Sequence, residues 1–171
     1  GNTTTTTDTI LLDTVAPLLT SCSINGGAAY THQTAVTMTF VGAADPGGAA
    51  ASGLDQSCTG TSSPPGTCVT YTASPGATIA SPDGSKTIYC TVKDVAGNTS
   101  TVVSDAITYD ATPPVITSFS VNNSAAATNS TSAQVFFVAS DVTSTVAAVA
   151  ASNDGASFTS VGVTSPAAWT L

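Results

Sequence analysis

The chain has 171 residues, 42% of them hydrophobic and only 7% charged, and carries a net charge of -8, which allows one or two small domains with real cores. Its only lysines are Lys86 and Lys93 and it has no arginine, which argues against nucleic acid and anionic membrane surfaces as partners, since both need clustered Lys or Arg. No stretch approaches the roughly 18 apolar residues of a membrane span, so membrane insertion is not expected either.

All ten acidic residues are aspartates, and Thr, Ser, Ala, Gly and Val abound. That mixture favours strands joined by turns, where Asp bonds its own backbone, over helices. Four cysteines, Cys22, Cys58, Cys68 and Cys90, lack the CxxC or Cys/His spacing of zinc and haem sites. Paired disulfides in an oxidising, extracellular compartment fit them better. The first residue is Gly1, no signal peptide is evident, and the sequence reads as a piece of a processed or longer chain.

In chain order, the first predicted strand is LLTSCSI, with Leu18, Thr20, Cys22 and Ile24 on one face. TAVTMTF follows, with Val36, Met38 and Phe40 inward, and later KTIYCTVK, with Ile88, Cys90 and Val92 inward. Between them AADPGGAAASG, GTSSPPG and SPDGS read as loops. Such alternation, one face apolar, belongs to antiparallel sheets packed face to face. The Ala-rich run from Val146 to Ala151 is read as a strand, because Thr and Ser flank it and an Asn153-Asp154-Gly155 turn follows.

Much of the chain occurs twice. Gly1-Asn2-Thr3 matches Gly97-Asn98-Thr99, Asp8 to Asp13 matches Asp105 to Asp110, and Leu18 to Asn25 matches Val115 to Asn122, a period of about 97 residues. That is the size of one sandwich domain.

VKDVAGNTS followed by ITYDATPPVI, together with VFFVASD, VAAVAASNDGASF and AAWTL, resembles the immunoglobulin-like repeats of large bacterial surface and secreted proteins. The resemblance implies an all-β chain of tandem immunoglobulin-like antiparallel β-sandwiches, the second one incomplete. On that register, residues 1–13 are the last strand of a preceding or neighbouring repeat, 14–112 a complete sandwich, and 113–171 a second sandwich without its last two strands. The open sheet is completed either by the continuing chain of a tandem array or by strand exchange between copies. Four cysteines allow three connectivities. A Cys22–Cys90 bridge would resemble the inter-sheet pin of immunoglobulin folds, with Phe119 as a core side chain in the place of Cys22, and Cys58–Cys68 would then close a local loop.

Aspartates near the repeat junctions are the candidate site. Asp13 and Asp110 precede Pro17 and Pro114, Asp94 sits in the turn before Gly97-Asn98, and Asp45 and Asp141 lie after the second strand of each repeat. Converging hard oxygen ligands suit Ca2+, which takes six to eight of them, although each Asp also suffices as a turn former without metal. No other cofactor is implied. Asn2, Asn98, Asn122 and Asn129 stand in N-x-S/T sequons, which equally read as turn asparagines.

Catalysis has little to stand on: His32 is the only histidine, and there is no GxSxG elbow, HExxH or phosphate-binding Gly loop. Paired carboxylates for glycoside hydrolysis would have to be two aspartates, such as Asp45 and Asp55, on loop placement alone. Without glutamate, Lys86 and Lys93 make poor isopeptide donors. Tyr30, Tyr71, Tyr89 and Trp169 are candidate sugar platforms, with Trp169 better read as core. The expectation is a non-enzymatic extracellular structural protein, a stalk, fibre or filament whose partners are neighbouring repeats or copies of itself. The alternative is an adhesin or carbohydrate-binding accessory module that takes a surface glycan or protein ligand.

Overall fold

The computed structural model describes residues 1–171, and 44% of them lie in strands. The chain divides into two compact units, Gly1–Tyr109 and Asp110–Leu171. Residues 1–16 run without strand pairing.

Unit 1 contains β1 (Ser21–Ile24), β2 (Tyr30–Thr31), β3 (Ala35–Val41), β4 (Leu54–Gly60), β5 (Thr67–Thr70), β6 (Gly76–Thr78), β7 (Gly84–Asp94) and β8 (Val103–Tyr109). One sheet has the order β1-β3-β6 and the other β2-β8-β7-β4-β5. Their inner faces share one core: Ile24, Val36, Met38 and Phe40 from the first sheet meet Ile88, Cys90, Val92 and Ile107 from the second. The period-two pattern of TAVTMTF explains β3 directly, since every second residue is buried. The result is sandwich-like, with Cys22 of one sheet bonded to Cys90 of the other.

Two expectations need correction here. In the first strand the buried leucine is Leu19, whereas Leu18 is half exposed. The ladder shifts between Val41 and Ala44: the Thr20 N–H donates to Val41 O at 3.0 Å, and the Leu18 N–H donates to Ala44 O at 2.7 Å. Gly42 makes the shift, with φ +67° and no room for a Cβ beside the Thr20 side chain. Nor is the sheet purely antiparallel, because the short β2 pairs parallel with the end of β8.

Unit 2 contains β9 (Val115–Val121), β10 (Ser132–Ser140), β11 (Val149–Ala151), β12 (Thr159–Gly162) and β13 (Ala167–Thr170). They form a sheet of order β13-β10-β9 and a separate pair, β11-β12. Val135, Phe137 and Val149 are its buried centre. The Ala-rich run supplies β11 and no helix.

A candidate cation centre at one end of unit 1

Three loop regions come together where β3 and β7 end. Asp13, Asp45 and Asp94 each place a carboxylate oxygen within 4.8 Å of the others. Asp13 and Asp94 are buried, and Asp45 is partly so.

Each carboxylate is aimed by neutral backbone or amide donors. Asp13 Oδ1 accepts from the Val15 N–H at 3.1 Å and Oδ2 from the Ser52 N–H at 2.7 Å. Asp45 Oδ2 accepts from the Gly53 N–H at 2.7 Å. Asp94 Oδ1 accepts from the Asn98 N–H at 2.7 Å, and Oδ2 from the Asn98 side-chain amide at 2.8 Å. That same amide also donates to the Asp13 carbonyl at 3.2 Å. Gly97, at φ +93°, allows the tight turn that brings Asn98 back over Asp94. The Val95 N–H donates to Gly53 O, and the Ala96 N–H to Ser52 Oγ, so the three segments are sewn together.

The Ser52 side chain, then the Val15 and Ser52 N–H groups, hold the Asp13 carboxyl below the usual carboxylate range. It is therefore ionised at neutral pH, ready to act as a hard oxygen ligand. Asp45 Oδ1 is buried and accepts no hydrogen bond. A buried oxygen without a donor is costly, and a cation among three carboxylates would satisfy it while offsetting their mutual repulsion. The donor set, oxygen only, suits a hard cation such as Ca2+ better than zinc, whose sites combine carboxylates with nitrogen or sulfur ligands.

Asp110 and Asp141 belong to the other unit and to no such group of three. Asp110 Oδ1 accepts from the Thr112 N–H at 3.2 Å, repeating the Asp13–Val15 turn. Asp141 Oδ1 accepts from the Thr143 and Ser144 N–H groups. Sequence reasoning missed Ser52 and Gly53, which position Asp13 and Asp45 through backbone N–H groups that no residue pattern announces. Asn98, read both as a sequon and as a turn asparagine, acts as the latter here: its amide nitrogen donates to Asp94 Oδ2 and to the Asp13 carbonyl. Asn122 is also a turn residue, its Oδ1 accepting from the Gln134 N–H at 2.8 Å, while Asn2 and Asn129 are exposed.

Cys22 bonds Cys90, and Cys58 bonds Cys68 directly across the β4–β5 pair. Two disulfides fit an extracellular location. No helix is long and apolar enough to cross a membrane. His32 is exposed in a loop, and Tyr30 stands exposed on β2. Phe119, expected in the core, is 58% exposed, because no strand of a second sheet lies over it. Trp169 is half-buried beside the unit 2 core and lines a groove of about 620 Å³ with Asn153, Asp154, Ser157 and Thr159.

No protein-family model, curated protein or solved structure matches the chain. The class that fold and site define is an all-β, sandwich-like, disulfide-bonded protein.

Proposed function

We propose that the chain is a non-catalytic structural part of an extracellular bacterial stalk, fibre or filament, built of tandem immunoglobulin-like repeats and stiffened by Ca2+ at Asp13, Asp45 and Asp94. The observation that carries this reading is the fastening of Asp13. This residue of the entering segment is tied to the Ser52 loop and to Asn98, beside the partnerless oxygen of Asp45. The incoming chain is thereby bound to the end of the domain it enters, and a divalent ion there would resist bending at that end. Asp110 repeats the turn at the next junction, as a tandem array requires. The mechanism is mechanical: disulfides and calcium keep the string of domains extended, holding other parts away from the cell. Electron microscopy of the purified protein with Ca2+ and with EDTA tests it. Rods or filaments that become more flexible in EDTA are the expected result, and compact particles indifferent to both would sink the proposal.

A second reading, a glycan-binding module, draws on the Trp169 groove. The indole N–H donates to Asn153 Oδ1 at 2.7 Å, and the Asn153 amide donates to Thr170 O at 2.9 Å, which fixes the ring beside hydroxyls and a carboxylate. A glycan array with Trp169→Ala as control decides it, and a specific signal that the variant abolishes would favour this reading.

A further inference from the structure

We infer that unit 2 is the acceptor for a β-hairpin of the kind that unit 1 carries at Gly84–Tyr109. The inference rests on the tandem architecture proposed above, but not on calcium or on filament formation.

The two units share a register. Cys22 and Ile24 stand opposite Phe40 and Met38, and Phe119 and Val121 stand opposite Phe137 and Val135 in the same spacing. Asn25, at φ 47°, accepts the Thr37 N–H on its Oδ1 at 2.9 Å; Asn122, at φ 46°, accepts the Gln134 N–H at 2.8 Å. The pair β9–β10 is therefore β1–β3 over again, down to its turn.

What differs is the cover. In unit 1, β7 and β8 complete the opposite sheet, β4 pairs with β7, and Leu19 and Cys22 are 2% and 7% exposed. In unit 2, β11 pairs only with β12, and the equivalent Ile116 and Phe119 are 53% and 58% exposed. A cavity of about 240 Å³ opens beside β10 and β11, lined by Phe137, Val138, Ala139, Val146, Val149 and Val163.

Unit 1 also states the chemistry of the occupant, since the same face is already covered there. The strand beside β11 would bring alternating apolar residues, as Ile88, Cys90 and Val92 do on β7. The second strand would bring apolar residues in the places of Ile107 and Tyr109, and a carboxylate in the place of Asp105, whose Oδ2 accepts the Ile24 N–H at 2.7 Å. In unit 2 that donor position is the Val121 N–H. A single strand beside β11 would leave β9 uncovered, so the occupant is a two-stranded hairpin. Unit 1 cannot lend its own, because Cys22–Cys90 pins it. Phe119 in the place of Cys22 makes the unit 2 association non-covalent.

The test uses the full chain and a synthetic peptide of Gly84–Asp110 with Cys90→Ser. Trp169 is the only tryptophan and packs on the unit 2 core, so its emission reports this unit. Expected are a saturable one-to-one blue shift and at least a tenfold weakening by Phe119→Asp in the chain or Asp105→Ala in the peptide. Phe119 is exposed, and circular dichroism shows whether the variant keeps its strands. No shift, or binding unaffected by Phe119→Asp, overturns the inference. A Gly1–Asp13 peptide that binds while the hairpin does not would also overturn it, giving the face to a single donated strand. Electron microscopy reads the structural proposal separately: rods without peptide binding sink only the hairpin, and peptide binding without rods sinks only the stalk.

Discussion

Asn98 closes on Asp94 twice, its backbone N–H donating to Oδ1 at 2.7 Å and its side-chain amide to Oδ2 at 2.8 Å. Since the amide also holds the Asp13 carbonyl, Asn98→Ala removes two hydrogen bonds and leaves a buried carboxylate oxygen short of a donor. The expected loss is about 1–3 kcal/mol in chemical denaturation. Asn129→Ala, at an exposed position, is expected to stay within about 0.5 kcal/mol. Equal effects of the two would show that the Asn98 turn holds nothing together.

The proposed calcium site would act on the same cluster by mass action. At a concentration ten times Kd, Ca2+ bound there would stabilise unit 1 by about 1.4 kcal/mol, so Tm is expected to rise on adding Ca2+ and to fall again with EDTA. Asp45→Asn removes the charge of the carboxylate whose Oδ1 has no donor and relieves like-charge repulsion; it is expected to abolish the calcium response without lowering the metal-free Tm. Differential scanning calorimetry reads both. An identical Tm in EDTA and in Ca2+ for the unsubstituted chain ends the calcium proposal.

Much of this was legible in the sequence, and the reasons differ by residue. Val36, Met38 and Phe40 announce β3 because alternation is strict where one face is buried, and Ile88, Cys90 and Val92 do the same for β7. The repeat was legible because turn asparagines such as Asn25 and Asn122 perform a fixed geometric task. Leu18 was misplaced because a shift at Gly42 breaks the alternation, and no residue pattern fixes where a ladder slips. Phe119 was misplaced for another reason: an inward-facing position is buried only when a second layer covers it. For the candidate site, the aspartates near the junctions could be named, but only the folded loops show that Asp13, Asp45 and Asp94 converge while Asp110 and Asp141 do not.

The disulfides differ in what they close. Cys22–Cys90 spans 68 residues and Cys58–Cys68 only 10. Chain entropy then gives about 4.4 kcal/mol for the first and about 2.8 kcal/mol for the second. Cys22→Ala with Cys90→Ala is expected to destabilise unit 1 more than Cys58→Ala with Cys68→Ala, with a further cost for core volume lost at the buried Cys90. Both pairs belong to unit 1, so the denaturation midpoint of Trp169 emission should stay where it is. A reversed order in guanidinium denaturation would mean that the β4–β5 bridge, not the inter-sheet one, secures the fold.

Asp154 gives unit 2 an acid-sensitive turn. The Ser157 N–H, then the Ser152 hydroxyl and the Ala156 N–H, hold its carboxyl well below the usual carboxylate range. Because the folded value is depressed, the stabilisation is present above the unfolded value of about 3.9 and is lost as pH falls through the folded one. The adjacent Asn153 accepts the Trp169 indole N–H at 2.7 Å, so the indole reports the turn. Trp169 emission is therefore expected to hold steady from pH 7 to about pH 4 and to change below it. Asp154→Asn isolates this carboxylate: the variant's turn is looser at pH 7 and its acid-dependent change is smaller. Superimposable titrations of variant and parent would show that the Asp154 carboxylate does not order the turn beneath Trp169.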